Sequence, residues 1–323
     1  MDFQIKILTR KEGYSSEQVR DFIISKIPEG VEVGRDTDKI VKRLCVNGKW
    51  MYFTNVFKIG SSFQNVDIRA LIPALDQPIV DIFCKGKEYF FMLANHITIR
   101  AHRGMAGYWT VDPDPNLRNT HFRLDFSESL TNNPDINGFY HPTISFYFVN
   151  TQFGQFEILT TEHELITAVN KLASGFIGRF ILTKEEWTYT LSNISKTKTL
   201  RTVLMDQKEL CSGVGNYLFS ELMYHAKLNP YIYVGDLFQI SQKPETYGQP
   251  VNLVGYLYDV CLFVINGHYR KTLEKVVYTK NVSPNGNKII GEKRNTKGEI
   301  VKTKGTRTTW YCPAEQFHPR QIC

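Results

Sequence analysis

Residues 204–230 read LMDQKELCSGVGNYLFSELMYHAKLNP, and this stretch decides the fold. An apolar, helix-compatible run ends at Cys211, breaks at Ser212-Gly213-Val214-Gly215, and restarts at Asn216 with apolar residues at Leu218, Leu222 and Met223. Gly213 and Gly215 free the backbone from the Cβ restriction, so a sharp turn between two helices fits here. The second helix would start at Asn216, where backbone N–H groups and the helix dipole attract an anion such as phosphate.

Around this segment the pattern changes along the chain. Residues 1–27 are expected to make an N-terminal extension with one amphipathic helix: Ser15 and Gln18 give a capping-box pattern, and Val19, Phe22, Ile23 and Ile27 fall on one helical face. Val33, Ile40, Val41 and Leu44 predict a second helix over 33–45. From there to 160, runs such as Trp50–Phe57, Tyr89–Leu93 and Phe122–Phe126 predict strands of a sandwich or barrel. Helical spacing fills 161–270, with loops near 193–198 and 241–250. Residues 271–323 are short, basic and turn-rich. The expected architecture is α+β: an extension (1–27), a β-sandwich with a flanking helix (28–160), a helical domain (161–270) and a C-terminal antiparallel hairpin (271–323).

A chain of 323 residues with 42% hydrophobic and 13% aromatic content can bury one or two cores. The net charge is +7, and between Lys271 and Arg307 ten Lys/Arg face three Glu. That basic tail, interleaved with Tyr and Trp, points to a polyanion, nucleic acid first. Six scattered cysteines fit a reducing compartment rather than a disulfide framework. No apolar run approaches the roughly 20 residues that span a bilayer, and the first residues lack a secretory signal's apolar core. An intracellular protein, nuclear or cytoplasmic, working as a monomer without a membrane partner, is the expectation. HExxH, P-loop, GxSxG and dinucleotide patterns are absent. His225, His268, Glu162, Glu164, Glu185 and Glu186 read as surface or cap residues.

The string LMDQ…GVGNYL…E…NP resembles the helix–two-turn–helix segment of the formamidopyrimidine-DNA glycosylase and endonuclease VIII family, which excises oxidised bases from DNA. Further matches follow in the family's order. PEGVEV at 28–33 resembles the family's PEGPEV or PELPEV start. The resemblance implies Pro28 as the nucleophile, whose secondary amine attacks C1′ of the damaged nucleotide to give a Schiff base, and Glu29 as the acid/base at the sugar. Glu32 matches the second glutamate of that pattern. Attack needs a free amine, and Pro28 follows Ile27, so the proline role requires removal of residues 1–27 or another start. Lys87, in CKGKEYFF at 84–91, falls on the family's buried, phosphate-contacting lysine, and is the substitute amine if Pro28 stays blocked.

AHRGMAG at 101–107 resembles the HLGMSG loop. His102 then matches a phosphate contact, and Met105 the side chain that fills the hole left by a flipped nucleotide. NTQFG at 150–154 stands in place of DPRRFG. Phe153 fits the wedging aromatic, but both arginines are missing, which implies weak discrimination of the opposite base, or activity on single-stranded or bubble DNA. Asn216 and Arg307 would contact phosphate, the latter from the tip of the terminal hairpin. Gly213 and Gly215 support the turn. Many members build that hairpin as a zinc finger with two CxxC pairs. Here only Cys312 and Cys323 remain, with His318 as a third candidate, so zinc is not expected and no cofactor is implied. The zincless hairpin of endonuclease VIII-like members is the closer match. The resemblance implies a glycosylase with AP lyase activity acting on damaged DNA. The alternative is a protein of the same fold that binds damaged or abasic DNA without turnover.

Overall fold

The computed structural model describes residues 29–60, 62–104, 107–111, 119–130, 142–150, 154–294, 300–301 and 308–317. The expected N-terminal helix, Pro28, Met105, Phe153, Arg307, His318 and Cys323 lie outside them. The chain forms two compact units: one from Arg35 to Val169, the other combining Glu29–Gly34 with the residues from Asn170 onward.

Helix α1 spans Gly30–Leu44. It starts three residues before the apolar pattern suggests, because the Glu32 carboxylate accepts the backbone N–H of Glu29 at 3.0 Å and caps the first turn. Val33, Ile40 and Leu44 are its buried face. Asn47 and Gly48, at φ 52° and 75°, then turn β1 (Cys45–Val46) into β2 (Lys49–Trp50), the backbone that an Asn-Gly pair favours.

The first unit is a sandwich of two antiparallel sheets. One runs β4-β3-β9-β10-β8, from Gln77–Pro78, Tyr52–Lys58, Thr120–Ser127, Ile144–Val149 and Tyr108–Thr110. The other runs β11-β7-β6-β5, from Gln155–Leu159, Thr98–His102, Glu88–Met92 and Asp81–Lys85. Aromatic rings fill the space between them: Phe122 stacks on Phe156 with centroids 3.9 Å apart, and Trp109 meets Phe91 and Phe148 at 5.0 Å each. Burial of each such side chain stabilises by about 1.5–3 kcal/mol. The sheet unit does not stop at 160. Helix α2 (Glu162–Asn170) belongs to it almost to its end, and the buried Lys85 Nζ donates to the Val169 carbonyl at 3.0 Å.

The second unit is helical and ends in a hairpin. Helix α3 (Lys184–Asn193) opens on a capping box between Thr183 and Glu186. After α4 (Leu200–Met205) comes the glycine turn, then α5 (Asn216–His225), buried from Asn216 to Tyr224. Helices α6 (Val234–Gln242), α7 (Pro244–Tyr247) and α8 (Leu253–Arg270) complete the set, α7 occupying part of the loop expected at 241–250. Among the described residues no helix is long and apolar enough to cross a membrane. The terminal strands β12 (Ile290–Glu292) and β13 (Thr309–Tyr311) pair antiparallel, with Gly291 opposite Trp310. The tail is no separate domain. Glu221 on α5 is fully buried and accepts the N–H groups of Val276, Val277 and Tyr278 at 2.8–3.0 Å, which fastens the tail to that helix.

Candidate functional site

The turn before α5 is built by a side chain that the glycine pattern does not reveal. Helix α4 ends at Met205, earlier than the apolar run, because Asp206 turns its carboxylate onto the N–H of Lys208 at 2.9 Å. Gln207 then donates to the carbonyls of Val214 and Met205 at 2.8 and 3.1 Å, and accepts the Gly213 N–H at 2.7 Å. Gly213 takes φ 96°, a backbone that favours glycine. Gly215 is the N-cap residue of α5 and contributes no side-chain cap.

Glu29 caps α5 instead. Its carboxylate, 1% exposed, accepts the N–H groups of Gly215, Tyr217 and Leu218 at 2.9, 3.0 and 3.2 Å. These are orphan donors of the first turn, and the dipole there favours a negative charge. The anion expected at this helix start is thus the chain's own carboxylate. Next to it, Gly30 donates to the Gly213 carbonyl at 2.8 Å. The Glu32 carboxylate takes the Glu29 N–H on one oxygen and the Tyr217 hydroxyl, at 2.8 Å, on the other. The structure brings Glu29, Glu32, Gly213 and Gly215 together, a convergence of the PEGVEV motif and the glycine turn across more than 180 residues.

Asn216 is different from its sequence reading. Its side chain is buried, and Nδ2 donates to the carbonyl of Thr308 at 2.6 Å, just ahead of β13. In this structure it ties the hairpin to α5 rather than presenting an amide to phosphate. His268, read as a surface or cap residue, is also buried, with its ring edge-on to Tyr217 at 5.7 Å.

In the sandwich unit, register places Lys87 and His102 at one end of a sheet. Glu88 and Gln155 both pair with His102, so the turn carrying Lys87, the Arg103–Gly104 segment and Gly154 share that end. Lys87 is half-buried at the β5–β6 turn, where Gly86 takes φ 61°. The buried lysine of this hairpin is Lys85, 6% exposed, whose ammonium burial holds below its usual range. Nδ1 of His102 accepts the Gly104 N–H at 3.0 Å. Asn150 was not singled out by sequence, yet it braces two loops. Its Nδ2 donates to the Arg103 carbonyl at 2.7 Å, and its Oδ1 accepts the Gly154 N–H at 3.1 Å. Arg103 in turn pairs with Asp36.

The terminal hairpin is closed by a carboxylate. Glu315, side chain 9% exposed, accepts from Tyr224 Oη and Asn285 Nδ2 at 2.8 Å, from Asn287 Nδ2 at 2.9 Å, from Lys227 Nζ at 3.3 Å, and from Ser283 Oγ. It follows Cys312 by three residues, where a CxxC pair would carry its second thiolate. Burial disfavours the charge, but these donors outweigh it and hold the carboxyl well below its usual range. The described residues of the hairpin do not supply a zinc site, and the candidates His318 and Cys323 lie outside them. Among the described residues no three His, Cys, Asp or Glu could hold a metal, burial pushes the Cys312 thiol up, and the Glu315 oxygens are already taken by donors.

No protein-family model matches the chain. Similar curated proteins are formamidopyrimidine-DNA glycosylases. That of Mycoplasma genitalium is 28% identical over 181 residues, covering 54% of this chain and 56% of that protein. That of Bartonella tribocorum is 24% identical over 172 residues, 48% and 53% of the two chains. The chain thus matches about half the length of these relatives. Among solved structures, MutM in complex with DNA containing carbocyclic 8-oxo-G superposes with a TM-score of 0.66 at 17% identity, over 90% of this chain and 100% of that one. The Lactococcus lactis formamidopyrimidine-DNA glycosylase bound non-covalently to abasic-site DNA gives 0.67 at 17%, with the same coverage. The fold is that of formamidopyrimidine-DNA glycosylase, and the resemblance found in the motifs extends to these relatives. None of these matches separates the endonuclease VIII-like branch from the rest.

Proposed function

We propose that this chain is a DNA glycosylase of base-excision repair, with AP lyase activity, that removes oxidised bases. The observation that carries this reading is the seating of Glu29 on the N-terminus of α5 by three N–H groups, held there by the glycine turn. A carboxylate fixed so firmly beside residue 28 is suited to proton transfer at a sugar whose C1′ is under attack. In the reaction proposed, the free secondary amine of Pro28 forms a bond to C1′. The C1′–N bond to the damaged base breaks, and the base departs with that electron pair and takes up a proton. The amine nitrogen loses its proton, its electron pair forms the C1′=N iminium as the C1′–O4′ bond breaks, and O4′ takes up a proton to become a hydroxyl. Loss of a C2′ proton then expels the 3′ phosphate and nicks the strand.

The partner proposed is damaged DNA, duplex, bubble or single-stranded, contacted by His102 and Lys87 at one end of the sandwich and by Arg307, with Met105 and Phe153 filling and wedging the gap. Basic residues of the tail would make that binding salt-dependent. The protein would act as a monomer, with Glu315 rather than a metal closing the hairpin. A second reading, binding without turnover, is favoured by the peptide bond between Ile27 and Pro28 in the full sequence. Incubation with duplexes carrying a single oxidised pyrimidine, 8-oxoguanine or abasic site tests the choice. Base release with a nicked strand supports the enzyme. Tight, lesion-selective binding with an intact strand supports the second reading.

A further inference from the structure

We propose that Tyr217 is a positioning residue that fixes Glu29 at both its main chain and its side chain, a role that rests on the glycosylase reading above. The backbone N–H of Tyr217 donates to Glu29 Oε1 at 3.0 Å, and its hydroxyl donates to Glu32 Oε1 at 2.8 Å. The other oxygen of Glu32 accepts the Glu29 N–H at 3.0 Å. These bonds close a ring that starts and ends on Glu29. The Glu29 N–H belongs to the peptide that joins it to residue 28, so the same ring orients the link to the proposed nucleophile.

The tyrosine is itself immobilised. It is 3% exposed, with the His268 ring edge-on at 5.7 Å and the Lys275 ammonium 4.0 Å from its ring centroid. Lys275 is held in turn, because Glu221 on the same helix grips the next three backbone N–H groups. A core aromatic needs none of this: phenylalanine would fill the same volume. The hydroxyl is distinguished by its partner, a carboxylate already committed to the Glu29 peptide. Productive attack needs the amine about 3–3.5 Å from C1′, and small misplacements there cost up to about 100-fold.

Tyr217→Phe tests the role, since it removes only the hydroxyl; it is made both in the full chain and in a version beginning at Pro28, where the amine is free. Amide hydrogen exchange at Glu29 should quicken about three- to tenfold, the worth of one hydrogen bond. Affinity for an abasic-site duplex should stay within about twofold, while strand nicking slows by about 10- to 100-fold, a loss in kcat and not in KM. Tyr217→Phe combined with Glu32→Gln should be no slower than the worse single variant, because both break one ring. Unchanged exchange at Glu29, or unchanged nicking by Tyr217→Phe, overturns the proposal. A wild-type version beginning at Pro28 that neither nicks nor releases a base defeats the glycosylase reading and this role with it, while exchange at Glu29 still decides the contact.

Discussion

Gly30 and Gly213 meet with no room for a side chain: a Cβ on Gly30 would lie 2.6 Å from the Gly213 Cα. Their closeness lets the Gly30 N–H reach the Gly213 carbonyl at 2.8 Å and brings the neighbouring Glu29 carboxylate onto α5. Backbone is the obstacle, so it cannot swing aside. Gly30→Ala should therefore destabilise by about 1–3 kcal/mol, and should lower nicking activity more than it lowers affinity for DNA. Chemical unfolding with parallel binding and nicking assays checks this.

Gln207 makes three hydrogen bonds inside the turn between α4 and α5. Gln207→Ala leaves the Gly213 N–H and the Val214 carbonyl without this partner, at a cost of about 1–3 kcal/mol. Gln207→Glu keeps the acceptor for Gly213 but sets a carboxylate against two carbonyls, and should be at least as harmful. Thermal melts of the two variants decide.

Asn150 separates a donor role from an acceptor role. Asn150→Asp retains an acceptor for Gly154 but puts negative charge against the Arg103 carbonyl, whereas Asn150→Ala removes both bonds. If the two loops enter DNA together, each variant should weaken binding to an abasic-site duplex by about tenfold, and Asp should be the worse. Fluorescence anisotropy against intact and abasic duplexes measures it. Equal affinity in all three proteins would separate these loops from the DNA contact.

Glu315 makes hairpin stability pH-dependent. Its folded-state pKa lies below the unfolded value, so its contribution is complete above the unfolded carboxylate range, near pH 4.5, and is lost as pH falls towards the folded value. Glu315→Gln should lower the melting midpoint at pH 7 and flatten the acid side of the stability profile. A chelator should leave the wild-type melt unchanged. A melt that drops on chelation would contradict a carboxylate-closed hairpin.

How much of this was legible in the sequence depends on the range of the interaction. The glycine turn, the alternating strands and the terminal hairpin carry local signals, and each appears where its pattern lies. Glu29 stood out by its motif, but its place on α5, 189 residues from Leu218, left no mark in local periodicity. Asn216 read as a phosphate contact because helix starts attract anions, yet Glu29 already supplies the anion and Thr308 takes the amide. Lys85 and Lys87 are indistinguishable as letters. Only the β5–β6 register shows that the first is buried and the second is in the turn. The Glu315 cluster draws on three separate segments, and its one local trace is a carboxylate three residues after Cys312.

The most direct test of the central claim is borohydride trapping on an abasic-site duplex, with the full chain compared with a version beginning at Pro28, followed by peptide mapping of the crosslink. A proline nucleophile gives a covalent complex through the Pro28 nitrogen in the version beginning there, abolished by Pro28→Gly with a blocked amine and slowed by Glu29→Gln. A crosslink at Lys87 or another amine in both versions, or no crosslink in either while lesion-selective binding persists, would contradict it.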